Sequence, residues 1–183
     1  TGNAAAVSGG AVSVFSGASL RIIDSTMAAN HVAQGTGGGV ESYNVGETRI
    51  VRSTLSGNQS ASHGGALSIV LGGGTRIEHS TVHANSADVD QDDVGWGGGL
   101  DAAGVTTVTL LNSIVAGNHD LSAADGLCPD LNARLGAALT TEGFNLIGDN
   151  GCEETPFPAG TPNANGDLVA DGCSQPVEPG QLV

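Results

Sequence analysis

Gly64-Gly65-Ala66-Leu67-Ser68-Ile69, continued through Arg76-Ile77-Glu78 to Ser80-Thr81-Val82-His83-Ala84-Asn85, is one complete unit of a repeat, and it decides the fold. The same unit opens at Gly9-Gly10-Ala11-Val12, Gly37-Gly38-Gly39-Val40 and Gly97-Gly98-Gly99-Leu100. An asparagine follows each aliphatic residue by 18 positions: Asn30, Asn58, Asn85 and Asn118. A serine stands five residues before each asparagine: Ser25, Ser53, Ser80 and Ser113. The units begin 28, 27 and 33 residues apart. A period of this length marks a solenoid, whose units cannot bury their apolar faces alone and do so by stacking.

Aligning the units gives columns. Val12, Val40, Leu67 and Leu100 share one, and Val14, Ser42, Ile69 and Ala102 stand two positions on. Between them lies a polar column, Ser13, Glu41, Ser68 and Asp101. Alternation of this kind is strand periodicity with one face buried. A second strand turns Ile22, Ile50, Ile77 and Leu110 inward, beside outward Arg21, Arg49, Arg76 and Thr109. A third runs from the serines through Met27, Leu55, Val82 and Val115 to the asparagines. Three short strands per unit, separated by turn-prone Gly, Ser and Asn, predict an all-β, right-handed parallel β-helix of four to five coils. The asparagines are expected to form a ladder, Asn30, Asn58, Asn85 and Asn118, each donating to the next coil and accepting from the one before, with a left-handed backbone tolerated there. That buried column argues against Asn58-Gln59-Ser60 as a glycosylation sequon. The Gly-Gly pairs fit positive φ or close passage of neighbouring coils. Phosphate cradling is not supported, since no G-x-x-x-x-G-K-[ST] is present and the chain has no lysine.

The coils are expected over 1–118. Over 119–183 the register is lost, all three cysteines and all six prolines are found, and a last coil with an irregular cap is expected in the same domain. Thr1-Gly2-Asn3 reads as the end of an earlier repeat, because Asn3 precedes Gly9 as Asn58 precedes Gly64, so a longer polypeptide is expected. Nineteen acids against five arginines give a net charge of −14, and the excess arises entirely from Ser86 onward. Such a surface repels phosphate backbones and argues against nucleic-acid partners. No apolar run is long enough to span a membrane as a helix.

The stretches Ser-Thr-Met-Ala-Ala-Asn, Ser-Thr-Leu-Ser-Gly-Asn and Ser-Thr-Val-His-Ala-Asn, each followed by a Gly-Gly motif, resemble repeats of bacterial surface β-helix proteins, the polymorphic outer-membrane proteins among them. Where their motif places Phe, this chain has Met27, Leu55, Val82 and Val115. Asn112-Ser113-Ile114-Val115-Ala116-Gly117-Asn118, then Cys128-Pro129-Asp130, Gly143-Phe144-Asn145-Leu146-Ile147-Gly148 and Cys152, are more similar to the choice-of-anchor Q group of secreted β-helix proteins. The resemblance implies an extracellular or cell-surface location and a non-catalytic adhesive, binding or scaffold role. Its partners would be other protein chains or surface glycans, reached end-on or edge-on through the exposed first coil. Three cysteines suggest one disulfide and a remainder. The resemblance implies Cys128–Cys152 within the C-terminal cap, with pairing of Cys173 to either as the competing option.

Catalysis is the alternative, a polysaccharide lyase or glycoside hydrolase built on a β-helix. Glu41 and Asp101 share the outward polar column with Ser68 between them, so two strand spacings separate them by roughly 9.6 Å, near the upper limit for an inverting carboxylate pair. No basic residue in that column answers an acidic sugar. Phe15 and Tyr43 stack in the next outward column and form a contact surface for a sugar or another chain. The lengthened third unit carries Asp88, Asp90, Asp92 and Asp93, whose alternation suits a calcium ion, although Asp93 and Gly99 stand where an EF-hand needs Gly and Glu. The competing reading there is a solvated acidic loop. The five histidines are scattered, and no nucleophile-elbow G-x-S-x-G supports a serine triad. Arg21, Arg49 and Arg76 read as a structural charge ladder with Glu47, Glu78 and Asp24.

Overall fold

The computed structural model describes residues 1–123, 128–150 and 153–170, and all its regular secondary structure is β. Each coil turns through four walls, and each wall is a parallel sheet. The first sheet stacks Val12–Phe15, Val40–Tyr43, Leu67–Val70, Leu100–Ala103 and Leu131–Arg134. The second stacks Ser19–Ile23, Glu47–Val51, Gly74–Glu78, Thr107–Leu111 and Ala138–Thr141. The third stacks Thr26–Ala28, Thr54–Ser56, Thr81–His83, Ile114–Ala116, Leu146–Ile147 and Leu168–Val169. The fourth stacks Ala4–Ala5, His31–Val32, Gln59–Ser60, Ser86–Ala87 and His119–Asp120. The molecule is a parallel β-solenoid of about five turns. None of its described residues form a helix long and apolar enough to cross a membrane.

The registers are those of the repeat: Val12↔Val40↔Leu67↔Leu100, Ile22↔Ile50↔Ile77↔Leu110 and Met27↔Leu55↔Val82↔Val115. Pairing like with like makes each column a continuous inward file. Val40, Leu67, Leu100, Ile50, Ile77, Leu110, Leu55, Val82 and Val115 are fully buried in one cluster. Each such side chain contributes about 1.5–3 kcal/mol by leaving water. Phe157, from the irregular C-terminal part, is also fully buried in this cluster. Val12, Leu20 and Met27 of the first coil are only partly buried.

The fold differs from the sequence expectation in three places. Each of the first four coils has a fourth strand of two residues beyond the asparagine, too short to leave a periodicity. The last coil expected after Asn118 is present, but it keeps the register that was expected to be lost. Leu131, Leu139 and Ile147 pair with Leu100, Val108 and Val115 and complete a fifth coil. The left-handed corner residue is not the asparagine but the one before it: Ala29 (φ 54°), Gly57 (61°), Ala84 (54°) and Gly117 (66°). That turn leaves the asparagine free to aim its own N–H along the stack.

The asparagine ladder is formed. The backbone N–H and side-chain Nδ2 of each asparagine both donate to Oδ1 of the next. The distances are 3.1 and 2.7 Å from Asn30 to Asn58, 2.9 and 2.9 Å from Asn58 to Asn85, and 3.0 and 2.8 Å from Asn85 to Asn118. Asn3 supplies an earlier rung onto Asn30. A second file runs beside it. Ser25, Ser53 and Ser80 each donate a backbone N–H to the next serine Oγ, and Ser113 donates to Asn145 Oδ1. Both files point their donors toward the C-terminus, so each needs a final acceptor. Asp130 Oδ1 closes the first, accepting Asn118 N and Nδ2 at 3.0 and 2.7 Å. Asp167 Oδ1 closes the second, accepting Asn145 N and Nδ2 at 2.8 and 2.9 Å. Buried amides are satisfied along the whole stack, as they must be where no water reaches them.

Asp130 is 1% exposed, and burial pushes its carboxyl up to about 7, against the pull of its bonds from Asn118. A raised folded pKa means that the folded chain keeps a proton the unfolded chain has released. Between about pH 4 and 7 this group alone therefore makes stability fall by about 1.4 kcal/mol per pH unit as pH rises. Asp130→Asn removes the titration and keeps the Oδ1 acceptor. Urea unfolding across that range is expected to show wild type gaining on the variant as pH falls from 7 to 4. Parallel pH profiles would contradict this assignment.

Candidate functional site

The outward polar file of the first sheet is where the alternative, catalytic reading placed its carboxylates, and the registers set Glu41, Ser68 and Asp101 side by side as predicted. They do not line an open wall. Glu41 is 7% exposed, and Ser68 and Asp101 are fully buried. The cover comes from the tight turns. Ser8, Thr36, His63 and Trp96, each just before a Gly-Gly pair, form a file of their own, with Gly9, Gly37 and Gly64 N–H donating to the Thr36, His63 and Trp96 carbonyls. Thr36 Oγ1 donates to Glu41 Oε1 at 2.7 Å, and Ser8 Oγ lies 3.2 Å from Ser13 Oγ. The first glycine of each pair makes this turn at positive φ, as Gly64 does at 66°.

Asp101 is held from the next coil. Asn132 Nδ2 donates to its Oδ1 at 2.7 Å, and Arg134 Nε and Nη2 donate to Oδ1 and Oδ2 at 3.0 Å each. The column itself holds no basic residue, but Arg134, two positions beyond Asn132, reaches into it. Arg134 belongs to the fifth coil, whose register the sequence did not reveal. Its guanidinium also lies 5.6 Å from the centre of the Trp96 ring, which stacks on His63 at 5.0 Å. Burial lowers the His63 pKa, Asp101 opposes it, and His63 Nδ1 accepts the Trp96 backbone N–H at 3.1 Å. Ser68 Oγ is buried with no hydrogen-bond partner among the described residues. Closed in and paired, Asp101 is built to hold its neighbours together.

Phe15 and Tyr43 meet as predicted, their ring centres 5.9 Å apart and tilted by 41°. Both are exposed, and both lie on the first two coils. The arginine file is a charge ladder. Glu78 binds Arg49 at 3.1 Å and Arg76 at 2.6 Å, Arg76 continues to Glu142 at 2.6 Å, and Arg52 pairs with Asp24 at 2.6 Å. His79 and His83 serve separate partners, Asn112 and the Ala116 carbonyl.

Of the four aspartates after the fourth-sheet strand Ser86–Ala87, the structure gathers three. One carboxylate oxygen each from Asp88, Asp90 and Asp92 lie within 4.8 Å of one another. Asp93 departs from the expected group, because its Oδ1 accepts the Ala123 N–H at 2.7 Å and ties the loop to the next coil. Asp90 and Asp92 are exposed, whereas Asp88 is fully buried. Burial raises the Asp88 pKa, the charges of Asp92 and Asp90 add to that, and the Asp92 and Asp93 N–H dipoles pull the other way without closing a hydrogen bond.

Cys128 is buried, but Cys152 and Cys173 lie outside the described residues, and so does the expected disulfide. No family model, curated protein or solved structure matches the chain.

Proposed function

We propose that this chain is a binding or scaffold β-helix of an extracellular or cell-surface protein, without chemistry of its own, whose partners are other protein chains or surface glycans. One observation carries the reading: the best-placed carboxylates are sealed under the turns, whereas the aromatic pair Phe15 and Tyr43 stands exposed on the outer wall. An acid that delivers protons to a glycosidic oxygen must reach the substrate, and Asp101 is committed to Arg134 and Asn132. Exposed aromatic rings suit recognition by contact. Export, and with it a Cys128–Cys152 bridge, rests on the resemblance of the repeats to bacterial surface proteins.

A glycan array and a reducing-end assay on acidic polysaccharides test this together. The expected result is saturable binding to a surface component that weakens at least about tenfold in Phe15→Ala/Tyr43→Ala, as loss of an aromatic contact does, with no new reducing ends. Release of reducing ends that disappears in Glu41→Gln would replace the reading with the glycoside hydrolase.

A further inference from the structure

We propose that the loop following Ser86–Ala87 is a calcium site in which Asp88, Asp90 and Asp92 each supply a carboxylate oxygen. This site is independent of the aromatic surface.

Acidic loops are common and need no ion when water and basic side chains answer their charge. Here both answers are missing for Asp88. Its side chain is fully buried, and among the described residues neither Oδ1 nor Oδ2 has a hydrogen-bond partner. A buried carboxylate without partners is costly, and a bound cation is one of the few things that make it stable. No basic side chain fills that role. The chain has no lysine, and its five arginines are each engaged elsewhere: Arg21 with Glu47, Arg49 and Arg76 with Glu78, Arg52 with Asp24, and Arg134 with Asp101.

The geometry points to the same ligand. Oxygens bound on opposite sides of a calcium ion at 2.3–2.6 Å lie up to about 5 Å apart, so three carboxylate oxygens within 4.8 Å of one another fit around one ion. The loop is fixed from outside the cluster. Asp88 N–H donates to the Ser62 carbonyl at 3.2 Å, Val89 N–H to the Ser60 carbonyl at 3.2 Å, and Ala123 N–H to Asp93 at 2.7 Å. Val94 N–H donates to Asp92 Oδ1 at 3.0 Å. Gly95 packs over Asp88 so closely that an added Cβ would meet the Asp88 Cβ at 2.7 Å. On the solvent side Asp90 and Asp92 line a cavity of about 320 Å³ with Gln34, Ser62 and Val94, which gives the ion an entry path and room for water ligands. Three hard oxygen donors exclude soft metals. Magnesium keeps most of its water and binds through one or two carboxylates, so calcium is the better match.

Calorimetric titration of the chelator-stripped chain with calcium tests this. Wild type is expected to bind one ion, and Asp90→Asn/Asp92→Asn, which changes only exposed side chains, is expected to weaken binding at least tenfold. Asp88→Asn is expected to abolish binding and, in EDTA, to raise the melting temperature, because it removes an unpaired buried charge. No saturable heat up to about 10 mM calcium, above the range of weak extracellular calcium modules, would overturn the proposal. So would wild-type affinity in the double variant, which stays informative even if Asp88→Asn fails to fold.

Discussion

Asn85→Ala is expected to destabilise the chain by about 3–5 kcal/mol, measured by chemical unfolding. Asn85 Oδ1 accepts both Asn58 N and Asn58 Nδ2 at 2.9 Å, and its own Nδ2 donates to Asn118 Oδ1 and to the Leu55 and His83 carbonyls. Truncation leaves the Asn58 backbone N–H without its acceptor in a site with no water, at about 1–3 kcal/mol for each buried group orphaned. It also opens a void in a fully buried position, which adds a cavity cost. Asn3→Ala is the matched control. Asn3 is exposed and donates onto Asn30. Its loss is expected to cost less than about 1 kcal/mol, the net worth of an accessible hydrogen bond. Equal, small losses at both positions would mean that the ladder does not hold the coils together.

Gly65→Ala is expected to be at least as damaging, with a loss of about 3 kcal/mol or more or failure to fold. An added Cβ would sit 2.3 Å from the Gly98 carbonyl oxygen and 2.6 Å from the Ser86 backbone. The first is main chain of the next coil and the second main chain of the short strand that closes its own coil, so no side-chain rotation relieves the contact. Gly10 and Gly38 make the same approach to the glycine carbonyl of the next coil, whereas Gly98 meets the His119 backbone of its own coil. The second glycine of the first three pairs is therefore a spacer between coils, whereas the first glycine of each pair serves the turn. Gly74→Ala is the control: no atom lies within 4 Å of its added Cβ and its φ is not in the left-handed region, so it is expected to be neutral or slightly stabilising. A Gly65→Ala protein as stable as Gly74→Ala would contradict the stacking distance.

The repeat made the core legible because stacking pairs each residue with its own equivalent. Once Val40, Leu67 and Leu100 fall in one column, the parallel register follows, and with it the asparagine ladder. What the sequence hid has specific causes. The fifth coil replaces Gly-Gly with Cys128-Pro129, has Asn145 where the serine stands, and runs one residue longer between Leu131 and Ile147 than its neighbour does between Leu100 and Val115. Its register was lost with those marks, and Arg134 and Asp130 with it. Asp130 occupies the position held by Ala11, Gly39, Ala66 and Gly99 in earlier coils, where a Cβ on Gly39 or Gly99 would already touch the asparagine amide. A carboxylate in that space takes over as acceptor. Alternation correctly turned Glu41 and Asp101 outward, but it carries no information about a turn folding back over them. The four aspartates were visible as a cluster. That Asp88 is buried without partners while Asp93 leaves for Ala123 depends on how the loop seats against the coils before and after it.

The central claim is that each coil hangs its backbone on the side-chain amide of the next. Scalar couplings transmitted through hydrogen bonds, read by NMR on the ¹⁵N,¹³C-labelled chain, name the acceptor of each N–H directly. The expected correlations run from the backbone nitrogens of Asn30, Asn58 and Asn85 to the side-chain Cγ carbons of Asn58, Asn85 and Asn118. Correlations from those nitrogens to carbonyls within their own coil, in place of the side-chain amides, would contradict it.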